Sequence, residues 1–162
     1  MAGIKLLEKN LINISYIVHR LSVPELHQKL FDDRWGSDYT ESILADQRTI
    51  IYGLFEKGRP EPMGVVWFSD IVPYRGCTLF AAIFELENRH QHKLTPLMPI
   101  IQKDFLSKVP VRTCSTYLIL PNEDSVAVLA KLGFHLVGVR EKYVCSGGEY
   151  KDQAIYYRIL GG

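Results

Sequence analysis

Cysteine is scarce. Cys77, Cys114 and Cys145 are the only three in 162 residues, and no two of them stand in a C-x-x-C spacing. An odd count without paired spacing argues against a disulfide framework and against a cysteine-ligated zinc site. It fits a reducing compartment, so a cytoplasmic location is expected. Net charge is scarce as well: 19 Lys and Arg against 18 Asp and Glu leave +1. No global field recommends nucleic acid or a membrane surface as a partner. No apolar run approaches the roughly 18 residues of a membrane span, and the N-terminus lacks the apolar core of a signal peptide. Repeats, linkers and low-complexity tracts are absent too, so residues 1–162 read as a single domain. A chain of this length buries roughly two thirds of its unfolded surface. Its 47% apolar and 23% charged composition is that of an ordinary globular protein.

What is present is a regular succession of strand and helix signals. Leu11 to Val18 alternates in part and is rich in β-branched residues, which reads as a first strand. Ser22, Pro24 and Glu25 then read as a helix start, with Ser as N-cap and Pro early. Leu26, Leu30 and Phe31 continue its apolar face to about Trp35, and Gly36 to Asp38 breaks it before a short helix over Tyr39 to Ala45. Three strands follow, at Thr49–Phe55, Gly64–Val72 and Cys77–Leu86, joined by turns at Gly58–Pro62 and Pro73–Gly76. This predicts an antiparallel meander. Its third member is nearly continuous in apolar residues, as suits a central strand covered on both faces.

Beyond a polar stretch from Glu87 to Lys93, Thr95 and Pro96 open a helix with Leu97, Ile100, Ile101, Phe105 and Val109 at helical spacing, ended by Pro110. A strand at Thr113–Leu120, a helix, a strand at His135–Val139, a turn at Ser146–Glu149 and a last strand at Ala154–Leu160 complete the chain. The order is β-α-α-β-β-β-α-β-α-β-β. Its strand–helix–strand unit from Phe80 to Ile119 predicts a right-handed parallel crossover inside a mixed sheet.

The stretch from Leu120 to Phe134 is the most informative. Asn122 is a strong N-cap, Glu123 and Asp124 lie where the helix dipole favours negative charge, and Val126, Val128, Leu129 and Leu132 form an apolar face. Gly133 stands where a left-handed C-cap is wanted. An Asn that opens a helix closed by Lys131-x-Gly133-Phe134, with the element order and the late Gly-Gly and Tyr150-x-Asp152, resembles the GNAT superfamily of N-acetyltransferases over residues 10 to 160. The resemblance implies a GNAT-like mixed α/β sheet of about seven strands with helices on both faces.

Ligands of α/β sheets gather at the carboxyl ends of parallel strands, here the exit of the Phe80–Leu86 strand and the start of the Thr95 helix. Orphan amides and the helix dipole favour an anion there, and Arg89, His90, His92 and Lys93 add donors. His90 and His92 lack a third ligand at familiar spacing, so no metal is assigned. In the GNAT pattern this place holds the coenzyme A pyrophosphate in a Gln/Arg-x-x-Gly-x-Gly/Ala loop. Starting at Arg89, His92 and Leu94 stand where that pattern has small residues. The resemblance implies Arg89, His92, Lys93, Leu94, Thr95 and Asn122 as coenzyme-binding positions, with Leu86 and Asn88 offering backbone amides to the pantetheine arm. Glu85 and Glu87 occupy the region that supplies the base, and strand alternation points both to one face. Leu129 stands where the pattern has a Tyr acid and cannot donate a proton, which leaves Tyr143, Tyr150, Tyr156 or Tyr157 to substitute. Trp35, Tyr39, Trp67 and Phe68 are candidates to line an acceptor pocket.

Two functions follow as expectations. The first is transfer of an acetyl group from acetyl-coenzyme A to an amine on a small molecule or a protein. The second is a catalytically inactive GNAT-like domain that binds protein partners or serves in assembly, such as a phage-encoded virion morphogenesis factor. The glycine-free loop and Leu129 favour the second. A cleft open to pantetheine between the Phe80 and Thr113 strands favours the first.

Overall fold

The computed structural model describes residues 2–85 and 93–160. In chain order they form β1 (Ala2–Leu6), α1 (Leu11–Leu21), α2 (Pro24–Leu30), α3 (Ser37–Ala45), β2 (Ile50–Glu56), β3 (Gly64–Val72), β4 (Gly76–Ile83), α4 (Met98–Lys108), β5 (Thr113–Ile119), α5 (Glu123–Lys131), β6 (His135–Ser146) and β7 (Glu149–Ile159). The strands make one seven-stranded sheet in the order β1-β2-β3-β4-β5-β7-β6. Every pairing is antiparallel except β4 with β5, which is parallel, as the predicted crossover requires. Among the described residues no helix is long and apolar enough to cross a membrane.

Strand alternation divides the core in two. On one face Phe68, Leu79, Ile83, Cys114 and Ala154 pack with Ile101 and Phe105 of α4 and Val128 and Leu129 of α5. On the other, Ile51, Val65, Trp67, Ala82 and Phe84 pack with Ile14, Ile17 and Leu21 of α1, Leu26 of α2 and Leu44 of α3. β3 supplies both cores in turn, Val65 and Trp67 to one and Val66 and Phe68 to the other. A fully buried side chain of this size contributes roughly 1.5–3 kcal/mol. Phe68 stacks on Phe105 with centroids 3.9 Å apart. Helices therefore cover both faces, as expected.

The segment Leu11–Val18 is a correction. It lies within α1, not a strand: Asn10 caps the helix through its side chain, accepting from the Asn13 amide at 2.9 Å. Ile14, Ile17 and Leu21 then bury one helical stripe. A short run rich in Ile satisfies both periods, and here the cap and the stripe outweigh β-propensity. The edge strand β1 takes the place expected of that segment and pairs with β2 from Ala2↔Glu56 to Leu6↔Tyr52.

Other boundaries move less. α2 ends at Leu30, short of Trp35, and its N-cap is Val23 with no side-chain cap bond, not Ser22. β4 ends at Ile83, short of Leu86, and α4 starts at Met98, past Thr95. β6 and β7 run longer than expected and meet at a Gly147–Gly148 turn with φ of 61° and 79°. Two glycines are required where they stand. Gly133 holds φ 83° as α5 ends, where the Phe134 amide donates back to the Leu129 carbonyl at 2.9 Å. At Gly76 a Cβ would sit 2.5 Å from Thr113 Oγ1 and 3.2 Å from the Thr113 carbonyl oxygen, so a larger residue would push against β5 where the parallel strands meet.

Candidate active site

β4 and β5 pair at three positions, Gly76↔Thr113, Cys77↔Cys114 and Thr78↔Ser115, and then separate. Past the last pair, the Thr116 hydroxyl donates to the Leu79 carbonyl at 2.9 Å. That bond shows that the backbone groups of Leu79 turn toward β5. The Phe84 amide, which donates to the Met63 carbonyl at 2.9 Å, shows that even-numbered residues turn toward β3. By alternation Ala81 and Ile83 present their backbone amides and carbonyls to the opening. The opening therefore lies at the carboxyl ends of two parallel strands and is lined by backbone.

Each face of the sheet has a cavity at this opening. On the α4–α5 side a space of about 100 Å³ is bounded by Ala81, Ile83, Leu94, Met98, Asn122 and Leu129. On the α1–α3 side a larger space, about 560 Å³, lies between the α2–α3 region, β3 and β6. Leu79, Phe80, Tyr117, Leu118 and Ile119 wall both, so the two spaces abut at the separated strands.

The larger space has an aromatic wall. Trp35 stacks on Tyr39 (4.4 Å), Phe31 on Phe80 (5.3 Å) and Trp67 on Phe80 (3.9 Å). Of the four aromatics expected to line an acceptor pocket, Trp35, Tyr39 and Trp67 line this one. Phe68 does not, because alternation sends it to the α4 face.

One end of this space is closed by a network of polar contacts. Asp32, 4% exposed, accepts from the Arg34 guanidinium at 2.7 and 2.8 Å and from the Cys145 amide at 3.1 Å. The Arg34 hydrogen bond, aided by the backbone amides of Arg34 and Cys145, holds the Asp32 carboxyl well below the usual range despite its burial. Asp33 accepts from the amides of Gly148 (2.9 Å) and Gly147 (3.0 Å), which lower its pKa in turn. The Ser146 hydroxyl donates to the Gln28 carbonyl. Together these bonds fasten α2 and the residues after it to the β6–β7 hairpin.

The residues singled out in the sequence fall in three groups. Leu86, Glu87, Asn88, Arg89 and His92 lie outside the described residues, as does His90. Leu94 and Asn122 line the smaller space. Asn122 is also the N-cap of α5, its side chain accepting from the Ser125 amide at 3.2 Å. Leu129, buried, lines the same space with no hydroxyl to offer. Thr95 is half-buried before α4.

Glu85 and Lys93 are engaged in ion pairs. Glu85 accepts from Arg59 at 2.7 Å, Lys93 donates to Glu56 at 2.7 Å, and Arg59 lies 3.8 Å from Glu56. This chain of charges ties Glu85 and Lys93 to the end of β2 and the turn that follows it. The Lys93 ammonium keeps Glu56 below its ordinary range, and Glu85 raises Arg59. Glu85 is not among the residues lining either space.

Of the substitute phenols, Tyr143 borders the larger space, Tyr156 is buried in the core, Tyr150 is on the hairpin, and Tyr157 packs against His135. Sequence reasoning missed Tyr117, a residue that lines both spaces and carries a phenol. Its signal was available: β5 alternates Cys114, Thr116 and Leu118 toward one face, which sends Tyr117 to the other.

No protein-family model matches the sequence, and no curated protein matches it at a significant level. Solved structures do match. A spermidine N-acetyltransferase from Vibrio cholerae, crystallised with CoA and spermine, superposes with a TM-score of 0.80 at 14% identity, over 98% of this chain and 95% of that one. A ribosomal-protein-S5-alanine acetyltransferase from Vibrio fischeri gives 0.76 at 16% identity, over 98% and 93%. The ribosomal-protein-S18-alanine N-acetyltransferase from Escherichia coli gives 0.74 at 16%, over 100% and 96%. With its seven-stranded mixed sheet opened between β4 and β5, the chain has the GNAT, or acyl-CoA N-acyltransferase, fold.

Proposed function

We propose that this chain is an N-acetyltransferase that moves an acetyl group from acetyl-coenzyme A to an amine. The observation that carries the reading is the separation of β4 from β5, with backbone groups of Ala81 and Ile83 aimed into it and a space on each face. Solved acetyltransferases share the fold, one of them crystallised with CoA.

The residues present suit a coenzyme arm on the α4–α5 side. Strand backbone at Ala81 and Ile83 offers hydrogen bonds to an extended amide-bearing chain, apolar Leu94, Met98 and Leu129 cover it, and Asn122 stands at the helix start. Arg89, His92, Lys93 and Thr95 are the proposed contacts of the pyrophosphate, and Leu86 and Asn88 of the pantetheine arm. Acetyl-coenzyme A supplies the activated acyl group: the thioester C–S bond breaks as the amide C–N bond forms. One proton leaves the amine, and one is taken up by the departing thiolate.

Glu85 and Glu87 remain the proposed bases. Tyr117 is the proposed acid, because the residue lines both spaces and carries a hydroxyl where Leu129 has none. Donors near Leu79 to Ile83 serve the developing oxyanion through the backbone and need no particular side chain.

Thermal shift tests the reading. A ligand at about 100 times its dissociation constant stabilises the native state by ~2.7 kcal/mol. In a domain of this size that is a rise of roughly 5–10 °C in Tm. Acetyl-coenzyme A and coenzyme A are expected to give that rise, a plain polyphosphate is not, and Arg89→Ala is expected to reduce it. No shift at millimolar coenzyme would overturn the enzyme and leave a GNAT-fold protein that binds other proteins.

A further inference from the structure

The larger space is defined by a carboxylate that the regular strand would have placed elsewhere. In β3 odd-numbered Val65 and Trp67 face α1–α3, while even-numbered Val66 and Phe68 face α4. Continued alternation would send Asp70 to the α4 core. Instead the register with β4 slips between Ser69 and Val72, and Asp70 takes φ 50°, a left-handed conformation at a non-glycine residue. After the slip Ile71 occupies the α4 core, and both Ser69 and Asp70 line the space opposite. Bulges re-aim side chains in this way, and a left-handed non-glycine residue costs roughly 1–3 kcal/mol.

The charges of this space do not cancel. Asp32 is matched by Arg34. Asp70 makes no ion pair among the described residues, and the nearby Arg48 is engaged by Asp46 at 3.3 Å. Asp70, exposed and near Arg48 without pairing to it, therefore stands as a carboxylate without an ion pair in the same lining as the Trp35–Tyr39 pair and the Trp67–Phe80 stack. Faces of aromatic rings attract cations and cover flat apolar groups. About 560 Å³ is the size of a small-molecule site. A polyamine presents several separated cations to a single free carboxylate, and so is poorly matched.

We propose that the acceptor is a small primary amine bearing one positive charge on an aromatic or flat apolar body, with Asp70 as the specificity-determining contact of its ammonium group. The inference rests on the acetyltransferase reading for the reaction but not for binding.

Both tryptophans of the chain, Trp35 and Trp67, line this space, so intrinsic fluorescence reports on it without coenzyme. Phenethylamine and naphthylmethylamine are the probes, with spermidine and a short peptide with a free N-terminus as competitors. The aromatic amines are expected to change the fluorescence saturably. They are also expected to be acetylated with a kcat/KM at least tenfold above spermidine or the peptide. Asp70→Asn keeps a residue that tolerates the left-handed backbone. It is expected to weaken amine binding at least tenfold while leaving the acetyl-coenzyme A thermal shift unchanged. Trp35→Ala is expected to weaken the aromatic amines more than methylamine. Preference for spermidine or the peptide, or amine binding untouched by Asp70→Asn, would overturn the inference. A missing coenzyme shift beside saturable amine binding would overturn the acetyltransferase reading alone.

Discussion

Asp32 and Asp33 are neighbours in sequence, yet they hold different partners. Asp32 turns inward to Arg34 and the Cys145 amide, and Asp33 outward to the amides of the Gly147–Gly148 turn. The native state binds both carboxylates in their charged form, so both titrate below their ordinary range. The sign of the linkage follows. A carboxyl whose native pKa lies below its unfolded value of about 3.9 adds stability that is fully present above that value. This stability is lost as pH falls through the native pKa. Asp32→Asn is therefore expected to lower the urea midpoint at pH 7, and the gap to the parent protein is expected to narrow steadily below about pH 4. Urea melts at pH 7, 4 and 3 check this; a gap that stays constant with pH would assign the effect to packing. Little of this was legible in the sequence, since Asp-Asp-Arg carries no period and, apart from Arg34, its partners lie more than a hundred residues away.

At the scale of elements, α5 shows how a residue can satisfy two requirements together. Asn122 caps the helix and also lines the space assigned to the coenzyme. Removing a cap costs roughly 0.5–2 kcal/mol. Asn122→Ala is expected to lose that stability together with coenzyme affinity, whereas Asn122→Ser keeps a cap. If the side chain contacts coenzyme, Ser restores the urea midpoint but not the affinity measured by titration calorimetry. Full recovery of both would reduce Asn122 to a cap.

The elements most legible in the sequence were those with a device at each end: α5 between Asn122 and Gly133, and the meander between its Gly-rich and Pro-rich turns. Legibility failed where two periods coincide, as over Leu11–Val18. It failed again where tertiary pairing adds to a strand, as in β6 and β7. The site was legible by location, at the exit of β4, more than by residue. Asp70 escaped notice because a bulge reverses its face, and no local pattern announces that reversal.

At the scale of the whole molecule, the sheet is two blocks. β1 to β4 come from residues 2–83 and pair only with one another, apart from the single junction with β5. β5, β7 and β6 come from residues 113–159 and do likewise. Seven residue pairs join β3 to β4 and seven join β5 to β7, but three join the blocks. The distribution of these pairs predicts an order of assembly. The meander and the β6–β7 hairpin close over short loops, whereas the junction must span the α4 crossover and is reached late. It is also the place where the sheet yields at least cost. Native-state hydrogen exchange is expected to find lower opening free energies for the amides of Cys77 and Ser115 than for those in the middle of β3. Equal protection would refute this. The gap between β4 and β5 thus limits how firmly the two halves of the polypeptide can hold together, and the contact expected to form last on folding borders the space proposed for the acyl donor.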